Sequence, residues 1–252
     1  MMSSSFDVKA AARRLVAARN GDDPVQSEAV APPDIATAWA VQDATLELIG
    51  PAGGWKVGAK AADAQPGAAP LPASGIFASG ASLAGPPWSM RGIEVEVAVR
   101  FGRDFVPGSP DVDVAQLQAA IDCVLPAIEV VETRLADWRE SGPLAQLADL
   151  QTHGALVLGE PSGMKAADID LRQVEAYLAF DGQPVASCRG ANVAVDVWRL
   201  LTWLAWNAAQ RGRPLRAGDV VTTGSCSGML YAGEGTHVLA DLKDIGRIEI
   251  RF

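Results

Sequence analysis

Seven residues, Ile93-Glu94-Val95-Glu96-Val97-Ala98-Val99, alternate between apolar and other side chains, and a period of two belongs to a strand. Ile93, Val95, Val97 and Val99 therefore share one face, and Glu94, Glu96 and Ala98 share the other. Glu is a poor strand former, and two carboxylates ~7 Å apart along a strand repel each other. One reading is an ordinary half-exposed strand whose polar face meets water. The other is a strand whose acids surround a cation. A third acid bears on the choice. Glu129 lies inside the apolar run Pro126-Ala127-Ile128-Glu129-Val130-Val131, where an unpaired carboxylate is costly to bury. With no nearby Cys or His ligands, three carboxylates form an oxygen-only set that suits Mg2+ or Mn2+ and not zinc. These residues alone leave both readings open.

The rest of the chain predicts more strands than helices. Residues 174–180 and 185–188 flank the turn dipeptide Asp181-Gly182, a hairpin signal. Further strands are expected at 53–58, 125–131, 155–158, 219–223, 237–242 and 247–252. Ser5 or Asp7 can cap a first helix, which Asn20-Gly21 stops. Pro33-Asp34 opens a second, with Ile35, Trp39, Gln42 and Leu46 on one face, ending at Gly50-Pro51. Residues 114–123 predict a third, and Asp196 caps a long one that Gly212 closes. Residues 61–87, rich in Ala, Pro, Gly and Ser, predict an ordered loop with at most a short strand at Ile76-Phe77, suited also to a mobile lid. Without a βαβ rhythm, the pattern favours an α+β fold, a curved β core with flanking helices.

Composition narrows the function. With 49% hydrophobic and 20% charged residues, the chain can build a sizeable core. A formal charge of −9 argues against a nucleic-acid partner. An anionic substrate would then need a local cation, from a metal ion or a placed Lys. Cys123, Cys188 and Cys226 are too scattered for a disulfide framework or a zinc site. Nothing resembles a signal peptide or reaches the roughly 18 consecutive apolar residues of a membrane span. A cytoplasmic protein is expected. A transit peptide is the minor alternative, on Arg13 and Arg14, with Asp7 against it.

Six motifs occur in an order that carries a resemblance. They are Gly54-Trp55-Lys56-Val57-Gly58, Glu94-Val95-Glu96, Pro126-Ala127-Ile128-Glu129, the run from Gly154 to Gly159, the run from Arg216 to Ser225, and the run from Gly246 to Phe252. Together they resemble the 2-keto-4-pentenoate hydratase / 4-oxalocrotonate decarboxylase group of the fumarylacetoacetate hydrolase superfamily, over almost the whole chain. The resemblance implies a mixed β-roll core at 76–252 behind an N-terminal helical/αβ region at 1–75. It implies Mg2+ or Mn2+ on Glu94, Glu96 and Glu129, with Lys56 facing the substrate as a charge partner or, if burial lowers its pKa, as a proton shuttle. It also implies a homo-oligomer, with a complex with a pathway enzyme as a further option. The substrates implied are small 2-oxo or 2-hydroxydienoic acids from aromatic-ring degradation, and the reaction is hydration by a lyase, with decarboxylation close behind. An acylpyruvate hydrolase is a further reading, and so is a silent partner subunit that keeps the fold.

Two departures qualify this. Hydratases of the group carry an acid just before a Gly between the Lys and the Glu pair, where this chain has Ala73 before Ser74-Gly75. Where relatives have Asp-Asn, this chain has Asp149-Leu150-Gln151-Thr152-His153. Thr152 and Ser225 are expected to touch substrate through hydroxyls, and His153 is the first candidate to replace the missing acid or base. Hydrolases of the superfamily use a His-Glu pair ahead of the metal ligands, and no His precedes residue 153 here. His237 is expected to lie at the surface or to be structural. The loop Gly224-Ser225-Cys226-Ser227-Gly228 resembles a nucleophile loop but lacks a partner base. Gly190-Ala191-Asn192 is a candidate site loop built from ordinary turn residues, and Trp55 suits packing and binding equally.

Overall fold

Capping carboxylates start the helices. Asp7 accepts from the Ala10 N–H at 2.9 Å and opens α1 (Val8–Arg19), and Asp34 accepts from the Thr37 N–H at 2.7 Å and opens α2 (Ile35–Ile49). The computed structural model describes residues 6–83, 85 and 88–252, so the alternative cap Ser5 lies outside the described residues. Helix α2 packs through Ala38, Val41 and Ala44 against Ala11, Ala12 and Leu15 of α1. The expected stripe of Ile35, Trp39, Gln42 and Leu46 is thus only half right. Gln42 and Leu46 are buried, but Ile35 is exposed and Trp39 half-buried.

In chain order the strands are β1 (Ala52–Gly58), β2 (Gly67–Pro72), β3 (Ile76–Ala78), β4 (Ala81–Ser82), β5 (Gly92–Phe101), β6 (Ile121–Val131), β7 (His153–Leu158), β8 (Glu175–Phe180), β9 (Gln183–Arg189), β10 (Val220–Ser225), β11 (Leu230–Tyr231), β12 (His237–Leu242) and β13 (Gly246–Arg251). Helix α3 (Val114–Gln118) precedes β6, α4 (Pro143–Ala148) precedes β7, and α5 (Val197–Gln210) precedes β10. An eight-stranded sheet runs β2-β1-β10-β5-β6-β7-β3, with β11 also pairing β5. A five-stranded sheet runs β4-β13-β12-β8-β9. Val95, Val97, Ile128 and Val130 of the larger sheet share one core with Val238, Ala240, Ile248 and Ile250 of the smaller. This is the expected α+β β-roll.

Two expectations need correction. The stretch 61–87 is not mainly loop: β2 pairs antiparallel with β1 and β4 pairs with β13, while residues 84, 86 and 87 lie outside the described residues. Pro70 and Pro72 hide β2 in the sequence, yet at the edge of a sheet the missing N–H of proline leaves no ladder unfilled. The helix expected over 114–123 stops at Gln118, because Ile121 already pairs with Phe101 in the β5–β6 ladder. Strands β1 and β2 also join the larger sheet, so strand pairing runs across the expected boundary at residue 75. The hairpin at Asp181-Gly182 is as expected, both residues having positive φ (50° and 78°).

One glycine sets the approach of β1 to β10. A Cβ on Gly54 would lie 2.0 Å from the Val220 carbonyl oxygen, so any side chain forces the two main chains apart. Gly54→Ala is expected to cost about 1–3 kcal/mol, by analogy with overpacked cores, read as a lower urea midpoint. An unchanged midpoint would refute the close approach.

Candidate metal-binding active site

Register alone gathers the acids. Glu94 of β5 stands opposite Glu129 of β6, and Glu96 lies two residues along on the same face. Ala98 is the β5 partner of Thr222 in β10, which in turn partners Lys56 in β1. Lys56, Thr222, Glu94, Glu96 and Glu129 therefore lie on one face of four adjacent strands. That face is the one turned away from the smaller sheet, beside a small apolar cluster that includes Ala98, Leu125, Ala127 and Leu156. The ordinary half-exposed strand is excluded: Glu96 and Glu129 are 2% and 1% exposed. One carboxylate oxygen from each acid lies within 4.8 Å of the others.

A bulge refines the geometry. Thr222 pairs with Ala98 but Ser225 pairs with Glu96, so β10 uses one residue more than β5. At this step Gly224, with φ 89°, donates its N–H to Glu96 Oε2 at 2.7 Å. The Asn192 side-chain amide donates to the Thr223 and Gly224 carbonyls at 3.0 and 2.8 Å and holds the bulge open. Ser225 lines the cavity, its hydroxyl donating to the Gly228 carbonyl at 3.1 Å.

Lys56 Nζ donates to Glu129 Oε1 at 2.6 Å and to the Gln151 carbonyl at 3.2 Å. The same Glu129 oxygen meets His153 Nδ1 at 3.0 Å. His153 is fully buried behind Glu129, and it is Glu129, not the ring, that lines the cavity. The turn that leads into His153 leaves no trace in the sequence. Leu150, Gln151 and Thr152 have φ of 48°, 52° and 63°, three successive left-handed residues without a glycine. Such a conformation costs about 1–2 kcal/mol per residue and must be imposed from outside. Arg134 does this from both ends: its guanidinium donates to the Asp149 side chain and carbonyl, and to the His153 carbonyl. Arg19 adds a second donor to the His153 carbonyl at 2.6 Å. Thr152 Oγ1 accepts from Trp138 Nε1–H at 3.2 Å, and Thr152 and Gln151 line the cavity.

The electrostatics are those of a site short of positive charge. Burial pushes Glu94 up to about 7, with Glu129 adding to the effect. Burial and the other two acids hold Glu96 well above the carboxylate range. Burial also opposes ionisation of Glu129, but Lys56 and His153 outweigh it and hold that acid at about 2. For Lys56, burial lowers the pKa and the neighbouring carboxylates more than restore it, so the ammonium stays above its ordinary value. Burial lowers His153 to about 4, so the ring is neutral near pH 7. Cys226 is buried and its thiol is pushed up to about 12, chiefly by that burial, so it is no nucleophile.

A pH dependence follows. Between the ordinary Glu value of 4.5 and about 7, folded Glu94 and Glu96 hold protons that the unfolded chain has lost. The metal-free protein therefore loses stability as pH rises through that window. Glu129 acts oppositely, its contribution present above 4.5 and lost as pH falls towards 2. In EDTA, urea unfolding is expected to show lower stability near pH 8 than near pH 5, and Glu94→Gln/Glu96→Gln should flatten the difference. A slope unaffected by the double substitution would contradict the assignment.

The acids and Lys56 form the floor of a cavity of about 910 Å³. Sequence reasoning missed its walls. Ile35 and Trp39 of α2, Leu144 and Leu147 of α4, and Trp203 and Asn207 of α5 all face it. The only signal was apolar side chains on α2 and α5 in excess of what a single core face needs. Asn192, on the candidate site loop, does line the cavity. Trp55 packs: it is buried in the core with the Arg211 guanidinium 5.2 Å from its ring centroid. His237 pairs with Glu249 on the surface of β12, away from the site.

A β-roll that turns three converging acids and a lysine into one cavity defines a carboxylate-centred site of the kind that holds a divalent cation. Residues 50–252 match the family model described as fumarylacetoacetate (FAA) hydrolase C-terminal, and the chain belongs to that family. It is 29% identical over 160 residues to the 2-keto-4-pentenoate hydratase of Paraburkholderia xenovorans (strain LB400), and 32% identical over 160 residues to the TodF product hydratase of Pseudomonas putida (strain F1). Each match covers 64% of this chain and 58% of the relative. The fold is similar to that of 4-oxalocrotonate decarboxylase from Pseudomonas putida G7, complexed with magnesium and adipate, at TM-score 0.83 and 22% identity over 97% of both chains. Among the described residues, no helix is long and apolar enough to cross a membrane.

Proposed function

We propose that the chain is a divalent-metal-dependent hydratase, a lyase acting on a small 2-hydroxydienoate such as 2-hydroxypenta-2,4-dienoate in aromatic-compound catabolism. The observation that carries this reading is the convergence of Glu94, Glu96 and Glu129 beside Lys56 at the cavity floor. The relatives named as hydratases support the reaction class. Glu94, Glu96 and Glu129 would hold Mg2+ or Mn2+. The fit rests on their all-oxygen donor set and on Glu129 Oε2, a buried oxygen without a protein partner. When bound, such an ion supplies Lewis-acid polarisation of a 2-oxo group.

The chain's own groups do the rest. The Lys56 ammonium, held by Glu129 and the Gln151 carbonyl, is placed to neutralise the substrate carboxylate. Thr152 and Ser225 offer hydroxyls at the cavity wall. Hydration moves the 2-hydroxyl proton to carbon 5, then adds the hydroxyl of water to carbon 4 and its proton to carbon 3, giving 4-hydroxy-2-oxopentanoate. His153 acts through Glu129, as a positioning residue. His153→Ala is expected to weaken Mg2+ binding about 10–100-fold, the range for partners that orient metal ligands, by calorimetry. Lost stability with unchanged Mg2+ affinity would make the ring merely structural.

Decarboxylation of the 4-oxalocrotonate type is the second reading, favoured by Ala73, a methyl group where an acid is expected. The deciding experiment follows the ultraviolet absorbance of 2-hydroxypenta-2,4-dienoate with Mg2+ and again with EDTA. Mg2+-dependent loss with 4-hydroxy-2-oxopentanoate as product supports the hydratase. No loss in either condition overturns it. We further propose a cytoplasmic homo-oligomer, supported by Trp198 and Trp206, which stay half-buried on α5 in the single chain.

A further inference from the structure

The cavity has two chemically distinct halves. Its floor carries the carboxylates and Lys56. Its upper walls are apolar, built by Ile35 and Trp39 of α2, Leu144 and Leu147 of α4, Trp203 of α5, and Val193. Ile35 and Val193 are 53% and 58% exposed, an unusual position for large aliphatic groups unless something apolar covers them. Helices α2, α4 and α5 thus turn part of their apolar surface into the cavity. A five-carbon acid contacts little of this wall, because ~900 Å³ lies near the upper end of what a drug-sized ligand fills.

Charge points the same way. Among the described residues, the cations lining the cavity are Lys56 and Lys60. Lys56 stands on the floor beside Glu129, placed for the carboxylate at the reacting end, and Lys60 is exposed. The amides in the wall carry no charge, and two of them are engaged: Gln146 donates to Trp138 and Ser141, and Asn192 to the bulge. A second carboxylate at the far end of a substrate would lie against indole and leucine surface without a fixed counter-charge, a costly placement.

We propose that this site selects 2-hydroxydienoic and 2-oxo acids with a single carboxylate and an apolar tail extended beyond five carbons, the tail lying against Trp39, Leu144 and Trp203, and that it discriminates against dicarboxylates. The inference rests on the reading of the floor as a 2-oxo acid site.

The test measures binding of unreactive saturated acids to the Mg2+-loaded protein, by quenching of tryptophan fluorescence and by calorimetry. Across 2-oxopentanoate, 2-oxohexanoate and 2-oxooctanoate, each added methylene is expected to tighten binding up to about fourfold, the value of one buried CH2. The dicarboxylate 2-oxoadipate, with the same chain length as 2-oxohexanoate, should bind at least ~10-fold more weakly, since its second charge stays unpaired. Trp203→Ala should flatten the chain-length series. Leu144→Lys, on a half-exposed helix position, should remove most of the penalty against 2-oxoadipate. A flat series in the unsubstituted protein would overturn the proposal. So would 2-oxoadipate binding as tightly as 2-oxohexanoate, above all if Lys60→Ala abolished that binding. Hexanoate lacks the 2-oxo group. Were it to bind as well as 2-oxohexanoate, the tail assignment would stand and the reading of the floor would fall. Absence of binding by every acid would overturn both.

Discussion

Glu96→Gln is expected to lower turnover and Mg2+ affinity by about 100-fold or more, beyond the 10–100-fold of an orienting partner, while making the metal-free protein more stable. The two effects share one cause. Glu96 is buried among like charges that hold its carboxyl far above the ordinary range, so without a cation its ionised form is a burden on the fold. Glutamine keeps an oxygen that can accept the Gly224 N–H, and it removes the charge. A raised urea midpoint in EDTA together with a lost Mg2+-dependent shift is therefore the expected signature. A variant with unchanged turnover would sink the metal assignment. One destabilised in EDTA would show that Glu96 is needed by the fold itself.

Arg134→Met is expected to cost about 3–5 kcal/mol, the penalty of leaving the buried partner charge uncompensated. Arg134 and Asp149 are each 3% exposed at the side chain, and no solvent can replace the guanidinium. The damage should reach the active site, because this clamp bridges Asp149 to His153 across the left-handed residues 150–152. Adding Asp149→Leu separates the two roles. Apolar residues of similar volume often restore the stability of a deleted buried pair, but they leave the His153 carbonyl with Arg19 alone and the Asp149 carbonyl without its guanidinium donor. Recovery of the denaturation midpoint without recovery of turnover would identify the clamp as what holds the turn. Recovery of both would mean that the turn keeps its shape unaided.

The floor of the site is legible in the sequence because strands leave a simple trace. A period of two puts Glu94 and Glu96 on one face, and a glutamate inside an apolar run marks Glu129 as in need of a partner. The order of the motifs adds Lys56. What escapes are features set by partners distant in the chain. The left-handed turn at Leu150, Gln151 and Thr152 has neither Gly nor Asn, and its cause is Arg134, on a separate segment well upstream. Strand β2 resembles loop because its prolines disfavour a central strand, and only the sheet order shows it to be an edge. Ile35 and Trp39 resemble core because periodicity reports which face of a helix is apolar and not what lies opposite. His153 stands out by residue type alone, and the structure gives it to Glu129, not to the cavity. Ala73, the position of the missing acid, is exposed and stands outside the cavity lining.

Floor and walls have different origins in this chain. The charged groups sit on hydrogen-bonded strands, where a shift of one residue in register would scatter all of them at once. The wall residues project from three helices that can exchange one side chain for another without disturbing any ladder. Chemistry and substrate range are therefore inherited on separate parts of the molecule. Under the proposed function, drift at Ile35, Leu144 or Trp203 would retune which tails are accepted, whereas drift at the glutamates would end the activity. A lineage built this way could come to accept new tails by changing a few helix positions and leaving its carboxylate cluster alone.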